Sequence, residues 1–307
     1  MAVFYQTEVY IKQHRIPRSN LQLTYSHDPI NKPLGTAGSI KKTEKKIGHN
    51  SPFLALNGDI FADVNYTEII KQHEKTRSLA TLALHKVKDP SRFGVAELAK
   101  DNRITGFIEK PEKDKAPSNL INAGVYVLDP KIFNYIPENR TVSIEREIFP
   151  KLAERNQLYG YIHEGLWTDI GKPEDYMELN KTLLTQTTQT TQTKPKPNIK
   201  EPTILGKHAS IGKNSTMGPY TIIGPDAIIG DNVRIINSIL LPNVTVSDFA
   251  LIEGAIIGEG VHIGKQVQIK KDCIIGDHAR IKDRLTLAQK THICPAAEVA
   301  ESTLEPD

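Results

Sequence analysis

Apolar and polar positions follow two different rhythms along this chain of 307 residues. In the first part, short apolar runs separate longer stretches with helical spacing. Strands are predicted at 23–26, 53–57, 79–87, 94–98, 104–110, 123–129 and 158–164. Helices are predicted at 7–14, 37–47, 66–76 and 144–155. Ser143 is placed to cap the last helix, with Glu145 and Glu147 in its first turn. A full capping box is not expected there, because Arg146 stands three residues on. Strand–helix alternation of this kind predicts an α/β sheet, mostly parallel in its first part.

Further along, the rhythm tightens. Gly206, Gly212, Gly218, Gly224 and Gly230 recur every six residues, each after Leu, Ile or Met. Gly258, Gly264 and Gly276 keep the six-residue step in a shifted phase. One apolar residue and one small residue per short unit is the pattern of a parallel β-helix, with the apolar side chain inside and the glycine at the corner. Between the two rhythms, "TQTTQTTQTKPKPNIK" (185–200) is polar, repetitive and Pro-containing, which predicts a linker. The predicted organisation is an α/β domain over 1–182, a linker over 183–202, repeats over 203–285, and an extra coil or disordered tail over 286–307.

Composition narrows the function. The net charge is +3, with 39 basic and 36 acidic residues, so no basic footprint for nucleic acid or a membrane surface is present. Cys273 and Cys294 are too few and too distant for a disulfide framework or a zinc site. No apolar stretch reaches membrane-spanning length, and no signal-peptide pattern opens the chain. A cytoplasmic protein is expected.

Candidate chemistry gathers in the first part. The apolar run 53–56 looks buried on both faces and ends abruptly at Asn57-Gly58-Asp59. Ligands of open parallel sheets sit beyond the carboxyl ends of strands, so Asp59 is a candidate ligand-binding carboxylate as well as ordinary turn chemistry. "PLGTAGS" (33–39) places Gly35 and Gly38 at a helix mouth, where backbone N–H groups can approach an anion or a base. "FIEKP" pairs Glu109 with Lys110 after a strand, "INAGVYV" brings Asn122 and Gly124 to another, and "LWTDIGKPEDY" carries Trp167 and Asp169. Each alone is a turn, a cap or core packing. Together, two carboxylates can hold Mg²⁺, which takes few carboxylates plus phosphate oxygens, and a lysine can neutralise a sugar phosphate.

The set "PLGTAG", "LNGD", "EKP", "INAGVYVLDP", "SIEREIFP" and "WTDIGKPEDY" resembles the sugar-1-phosphate nucleotidyltransferase family in order and spacing, nearest to its GDP-mannose-forming branch. The resemblance implies a Rossmann-like mixed-sheet domain followed by a left-handed parallel β-helix. It implies Mg²⁺ on Asp59 and Asp169, with Asn57 and Gly58 on the nucleotide and phosphate side. Gly35 and Thr36 would meet base and ribose, and Lys110 the sugar phosphate. Glu109 and Asn122 would lie on the sugar, Gly124 would be a further substrate-binding residue, and Gly94 would allow close approach of the hexose. The implied partners are a nucleoside triphosphate, a sugar-1-phosphate and other copies of the chain through the β-helix.

One part of the family pattern is not seen. The family opens with a strand and a Gly-rich loop bearing an Arg and then a Lys, which cradle the triphosphate. Here "MAVFYQTEVYIKQH" is similar to a later strand and helix of that fold. The expectation is a chain that starts part-way through the fold, lacks an interior strand, and turns over little GTP with mannose-1-phosphate. A coding region beginning further upstream and a non-catalytic sugar-nucleotide-binding paralogue both stay open. So does glucose-1-phosphate with UTP or dTTP as the substrate pair. Acyl transfer by His208, His262 or His278 of the repeats is the third class, set against their simpler role as exposed solenoid side chains.

Overall fold

The computed structural model describes residues 2–3, 22–29, 32–190 and 198–303, so the helix expected at 7–14 lies outside the described residues. The chain divides into two compact units, Met1–Thr168 and Asp169–Asp307. In the first unit the strands are β1 (Ala2–Val3), β2 (Ser26–His27), β3 (Phe53–Leu56), β4 (Ile60–Ala62), β5 (Ala80–Lys86), β6 (Gly94–Leu98), β7 (Ile104–Glu109), β8 (Leu120–Leu128) and β9 (Leu158–His163). A short β10 (Trp167–Asp169) begins at its end and runs to the first residue of the second unit. The helices are α1 (Gly35–Lys42), α2 (Glu44–Ile47), α3 (Tyr66–Thr76) and α4 (Phe149–Glu154). Short β4 and β10, unforeseen from the pattern, pair with each other in a two-stranded sheet.

The central sheet runs β7-β6-β8-β5-β9, with β3 also on β8. It is mixed, and the expectation of a mostly parallel first part is not met. Only β5 with β9 forms a parallel ladder in it, because β8 lies between β3 and β5 and runs antiparallel to both. β8 is mostly apolar and almost wholly buried, as a strand bonded on both edges must be. Its Tyr126 meets Phe149 edge-on at 5.2 Å, and Phe149 meets Phe107 at 5.5 Å, which ties α4 to the sheet.

β3 corrects a second expectation. Instead of being buried on both faces, it alternates, with Leu54 36% and Leu56 51% exposed. Among the described residues its bonded partner is β8 alone, and its residues border a cavity.

Local sequence explains the helix ends. The Asn65 side chain caps α3 by accepting the Glu68 N–H at 3.2 Å, and Arg77 (φ 52) ends it in the left-handed region. Ser143 caps the next helix as expected, accepting the Arg146 N–H at 3.2 Å. A reciprocal bond does form, because Ile144–Ile148 is π-helical and its wider turn lets Glu147, four residues on, accept the Ser143 N–H at 3.3 Å.

The second unit holds helix α5 (Pro173–Thr190) and a parallel β-solenoid. α5 runs six residues into the stretch 185–200 expected to be a linker. Leu179 and Leu184 are buried, and the hydroxyls of Thr182, Thr185 and Thr187 donate to carbonyls four residues back at 2.8–3.1 Å. A polar composition therefore does not stop the helix.

The solenoid builds three parallel sheets, of six, six and five strands, reaching Val299, so the 286–307 stretch continues the coils at least that far. Thr203 pairs with Thr221 eighteen positions on, whereas Ile222 pairs with Ile239 seventeen on. Left-handed corner residues recur every six positions, at His208, Asn214, Tyr220, Asp226 and Asn232, and then step by five to Asn237. A second five-residue step runs from Phe249 to Gly254. These two short steps produce the phase shift of the glycine pattern.

The every-six glycines are, apart from Gly218, not the left-handed corner residues. A Cβ on Gly206 would lie 2.3 Å from the Pro225 nitrogen, so the glycine is required where the next coil crosses close by. Inward Ile223, Leu240, Ile257 and Ile275 stack in register along one sheet, each fully buried side chain worth about 2 kcal/mol.

Candidate functional site

Asn57 follows β3 and is held by its neighbour on β8: its N–H donates to the Gly124 carbonyl at 2.9 Å. Gly124 has φ +70, and a Cβ there would lie 2.2 Å from Ile60 Cδ1 and 3.1 Å from Asn57 Nδ2. Asn122 is turned onto the same spot. Its Oδ1 accepts the Gly124 N–H at 3.0 Å and its Nδ2 donates to the Tyr126 hydroxyl at 2.9 Å. Burial, reinforced by the charge of Glu145, pushes the Tyr126 hydroxyl well above its ordinary pKa. Asn57, Asn122 and Gly124, expected at the site, thus meet around one buried tyrosine.

The "LGTAG" turn enters from α1. Two of its N–H groups are already bonded, which corrects the reading of Gly38: the Ala37 and Gly38 N–H groups donate to the Val142 carbonyl at 3.0 and 3.4 Å. Gly35 has φ +72, and a Cβ on it would lie 2.6 Å from that same oxygen. The Thr36 hydroxyl donates to Glu145 Oε2 at 2.7 Å and accepts the Ile144 N–H at 2.9 Å. Ser143 also donates to Glu145 Oε2, at 2.7 Å. Gly35, Thr36 and Asn57 line one cavity of about 780 Å³ together with Phe53, Tyr126 and Ile144.

Gly94 and Glu109 are direct partners across the β6–β7 ladder. A Cβ on Gly94 would lie 2.5 Å from Phe107 Cζ and 2.8 Å from Glu109 Oε2, so the protein's own packing already demands this glycine. Burial raises the Glu109 pKa, the charge of Glu145 raises it further, and Lys110 and Arg146 oppose both. Lys110 follows at φ 50, its N–H bound to the Phe93 carbonyl at 2.9 Å. Its ammonium makes no hydrogen bond or ion pair among the described residues.

A family model described as nucleotidyl transferase matches residues 3–186. The chain belongs to that family. A second model, the GMPPB C-terminal domain, matches residues 199–307. Mannose-1-phosphate guanylyltransferase catalytic subunit beta of Danio rerio is 36% identical over 179 residues, covering 58% of this chain and 49% of that protein. Mannose-1-phosphate guanyltransferase of Saccharomyces cerevisiae (strain ATCC 204508 / S288c) is 36% identical over 180 residues, with 58% and 49% covered. The crystal structure of HddC from Yersinia pseudotuberculosis has 26% sequence identity and a TM-score of 0.48, over 58% of this chain and 74% of that one. The chain spans about half the length of the curated relatives it matches.

Asp59 sits exposed in the turn after Gly58 and directly precedes β4. Among the described residues its carboxylate has no hydrogen-bond or ion-pair partner. Asp169 is the last residue of β10 and half-buried, and its Oδ1 accepts the Gly171 N–H at 2.8 Å. No group of three or more His, Cys, Asp or Glu that could hold a metal occurs among the described residues. A carboxylate is the hard oxygen donor that Mg²⁺ takes in small number, together with waters and phosphate oxygens.

Outside these positions, His208 Nδ1 lies 3.1 Å from Asp226 Oδ1 at an exposed solenoid corner. His262 projects outward from its strand. Sequence reasoning missed Tyr126 and Glu145 as organisers of the site. Tyr126 stands within the quoted "INAGVYV", but a buried tyrosine in an apolar strand looks like core. Glu145 looks like a first-turn helix acid, and its bond to Thr36 spans 109 positions.

Proposed function

We propose that the chain transfers a guanylyl group from GTP to mannose-1-phosphate, giving GDP-mannose and pyrophosphate. The observation that carries this is the convergence of Asn57, Asn122 and Gly124 around Tyr126, beside the cavity that Gly35 and Thr36 also line. The names of the relatives support the choice of base and hexose. In this assignment Gly35 and Thr36 face base and ribose, Asn57 and Gly58 face the phosphates, and Gly94, Glu109, Asn122 and Gly124 border the hexose.

Lys110, whose ammonium has no partner among the described residues, offers its charge to the sugar phosphate and to the charge that grows in the transition state. The sugar-phosphate oxygen attacks the α-phosphorus in line, pyrophosphate leaves opposite, and the side chains position and neutralise. Asp59 and Asp169 would hold the divalent ion, which when bound supplies charge neutralisation at the phosphates. No helix among the described residues is long and apolar enough to cross a membrane.

Binding and turnover measured together test the assignment. The expected result is calorimetric binding of GDP-mannose in preference to UDP-glucose and dTDP-glucose, with weak pyrophosphate release from GTP and mannose-1-phosphate that Asp169→Ala abolishes. GDP-mannose binding without pyrophosphate release would make this chain the non-catalytic paralogue. Preference for UDP- or dTDP-glucose would move it to the glucose branch. Absence of any sugar-nucleotide binding would overturn the assignment.

A further inference from the structure

The two-stranded sheet β4–β10 is small, and two strands of three residues cannot hold it rigid by themselves. A cluster of side chains outside the substrate positions fastens it. His163, at the end of β9, is 6% exposed, and its Nε2 lies 3.0 Å from Asp63 Oδ1 and 3.2 Å from the Leu166 carbonyl. Both neighbours accept, so Nε2 carries the hydrogen and donates to each. The Asp63 backbone N–H donates to the same Leu166 carbonyl at 3.2 Å. One imidazole therefore joins the residue that follows β4 to the residue that precedes β10.

A second contact set fixes β10 from the other side. Trp167 Nε1 donates to the Ala123 carbonyl of β8 at 3.0 Å. The His85 ring stacks on the Trp167 indole at 5.6 Å, and its Nδ1 donates to the His163 carbonyl at 3.0 Å. Nothing in the proposed reaction uses Asp63, His85 or His163. A buried histidine held by a carboxylate and a carbonyl is a device for orientation rather than for proton transfer.

We propose that the His163–Asp63 hydrogen bond is a positioning lock for the β4–β10 sheet, and that it sets the affinity of the divalent-ion site. The lock rests on the assignment of Asp59 and Asp169 as metal ligands. Asp59 directly precedes β4 and Asp169 ends β10, so the lock acts on the strand that follows one carboxylate and the strand that carries the other. Asp63 and His163 are positioning residues, outside the positions assigned to substrate.

The test uses the full chain and Mn²⁺ as probe, with binding read by electron paramagnetic resonance and stability by thermal melting. Asp63 is over half exposed, so its variants leave the core untouched. Asp63→Ala is expected to weaken Mn²⁺ binding about 10-fold, and Asp63→Asn, which keeps an acceptor oxygen, to restore it to within about twofold. His163→Phe, which keeps a buried ring and alters no carboxylate, is expected to match Asp63→Ala. Unchanged Mn²⁺ affinity in Asp63→Ala with a lowered melting temperature would reduce the pair to a structural contact and overturn the proposal. Asp63→Asn as weak as Asp63→Ala would do the same. If the unmodified chain binds no Mn²⁺, the metal assignment itself fails, an outcome distinct from the other two.

Discussion

The Asn57 N–H is bonded to the Gly124 carbonyl at 2.9 Å, and the missing side chain of Gly124 is what lets Ile60 and Asn57 pack against it. Gly124→Ala adds a methyl 2.2 Å from Ile60 Cδ1 at a backbone φ of +70. A loss of about 1–3 kcal/mol in stability is expected from the backbone strain alone. The displaced Asn57 should also weaken GDP-mannose binding. Urea denaturation and calorimetry on the same variant measure the two effects.

Lys110 is exposed and its side chain makes no hydrogen bond or ion pair among the described residues, so removing its charge should spare the fold. Lys110→Met is expected to keep the melting temperature of the unmodified chain. Its rate of pyrophosphate release should fall on the order of 100-fold, the usual effect of removing one transition-state donor. Equal rates in the two proteins would remove Lys110 from the reaction.

Glu109 links the site to pH. Burial first, and then the charge of Glu145, hold its folded pKa above the ordinary 4.5. The folded state therefore binds more protons than the unfolded state as pH rises from 4.5 to the raised folded value. Its contribution falls across that window, and the ionised carboxylate is a standing penalty above it. Glu109→Gln should be the more stable protein at neutral pH and should lose its advantage at pH values below the ordinary glutamate range. Denaturation midpoints across pH test the sign, and an advantage that grows on acidification would refute it.

Ser238 stands at a five-residue corner of the solenoid and is fully buried. Its hydroxyl donates to the Ile236 carbonyl at 2.7 Å and accepts the Ala255 N–H of the next coil at 3.2 Å. Ser238→Ala leaves a buried N–H without its acceptor, at a cost of about 1–3 kcal/mol. Hydrogen exchange should report the loosening at Ala255, while GDP-mannose binding stays unchanged.

Local patterns are enough for most elements. The helix 66–76 and the strand 94–98 begin and end where their capping and apolar pattern place them. Short β4 and β10 leave no mark in the pattern because three residues are too few to display a period. The polar end of α5 reads as linker because composition does not reveal the threonine hydroxyls bonded back to the helix. At the site, the motifs mark Asn57, Asn122 and Gly124, and the fold brings Asn57 and Asn122 both onto Gly124.

By itself the sequence determined the two rhythms, the apolar β8, the six-residue solenoid with its phase shift, and the family motifs. Each of these depends on neighbours along the chain or on a short repeat. Only the tertiary structure decided that β8 runs antiparallel between β3 and β5, that Glu145 binds Thr36, and that His163 binds Asp63. The physical reason is separation: contacts between residues tens of positions apart or more leave no period in the sequence, and they form only when packing of the apolar strands brings them together.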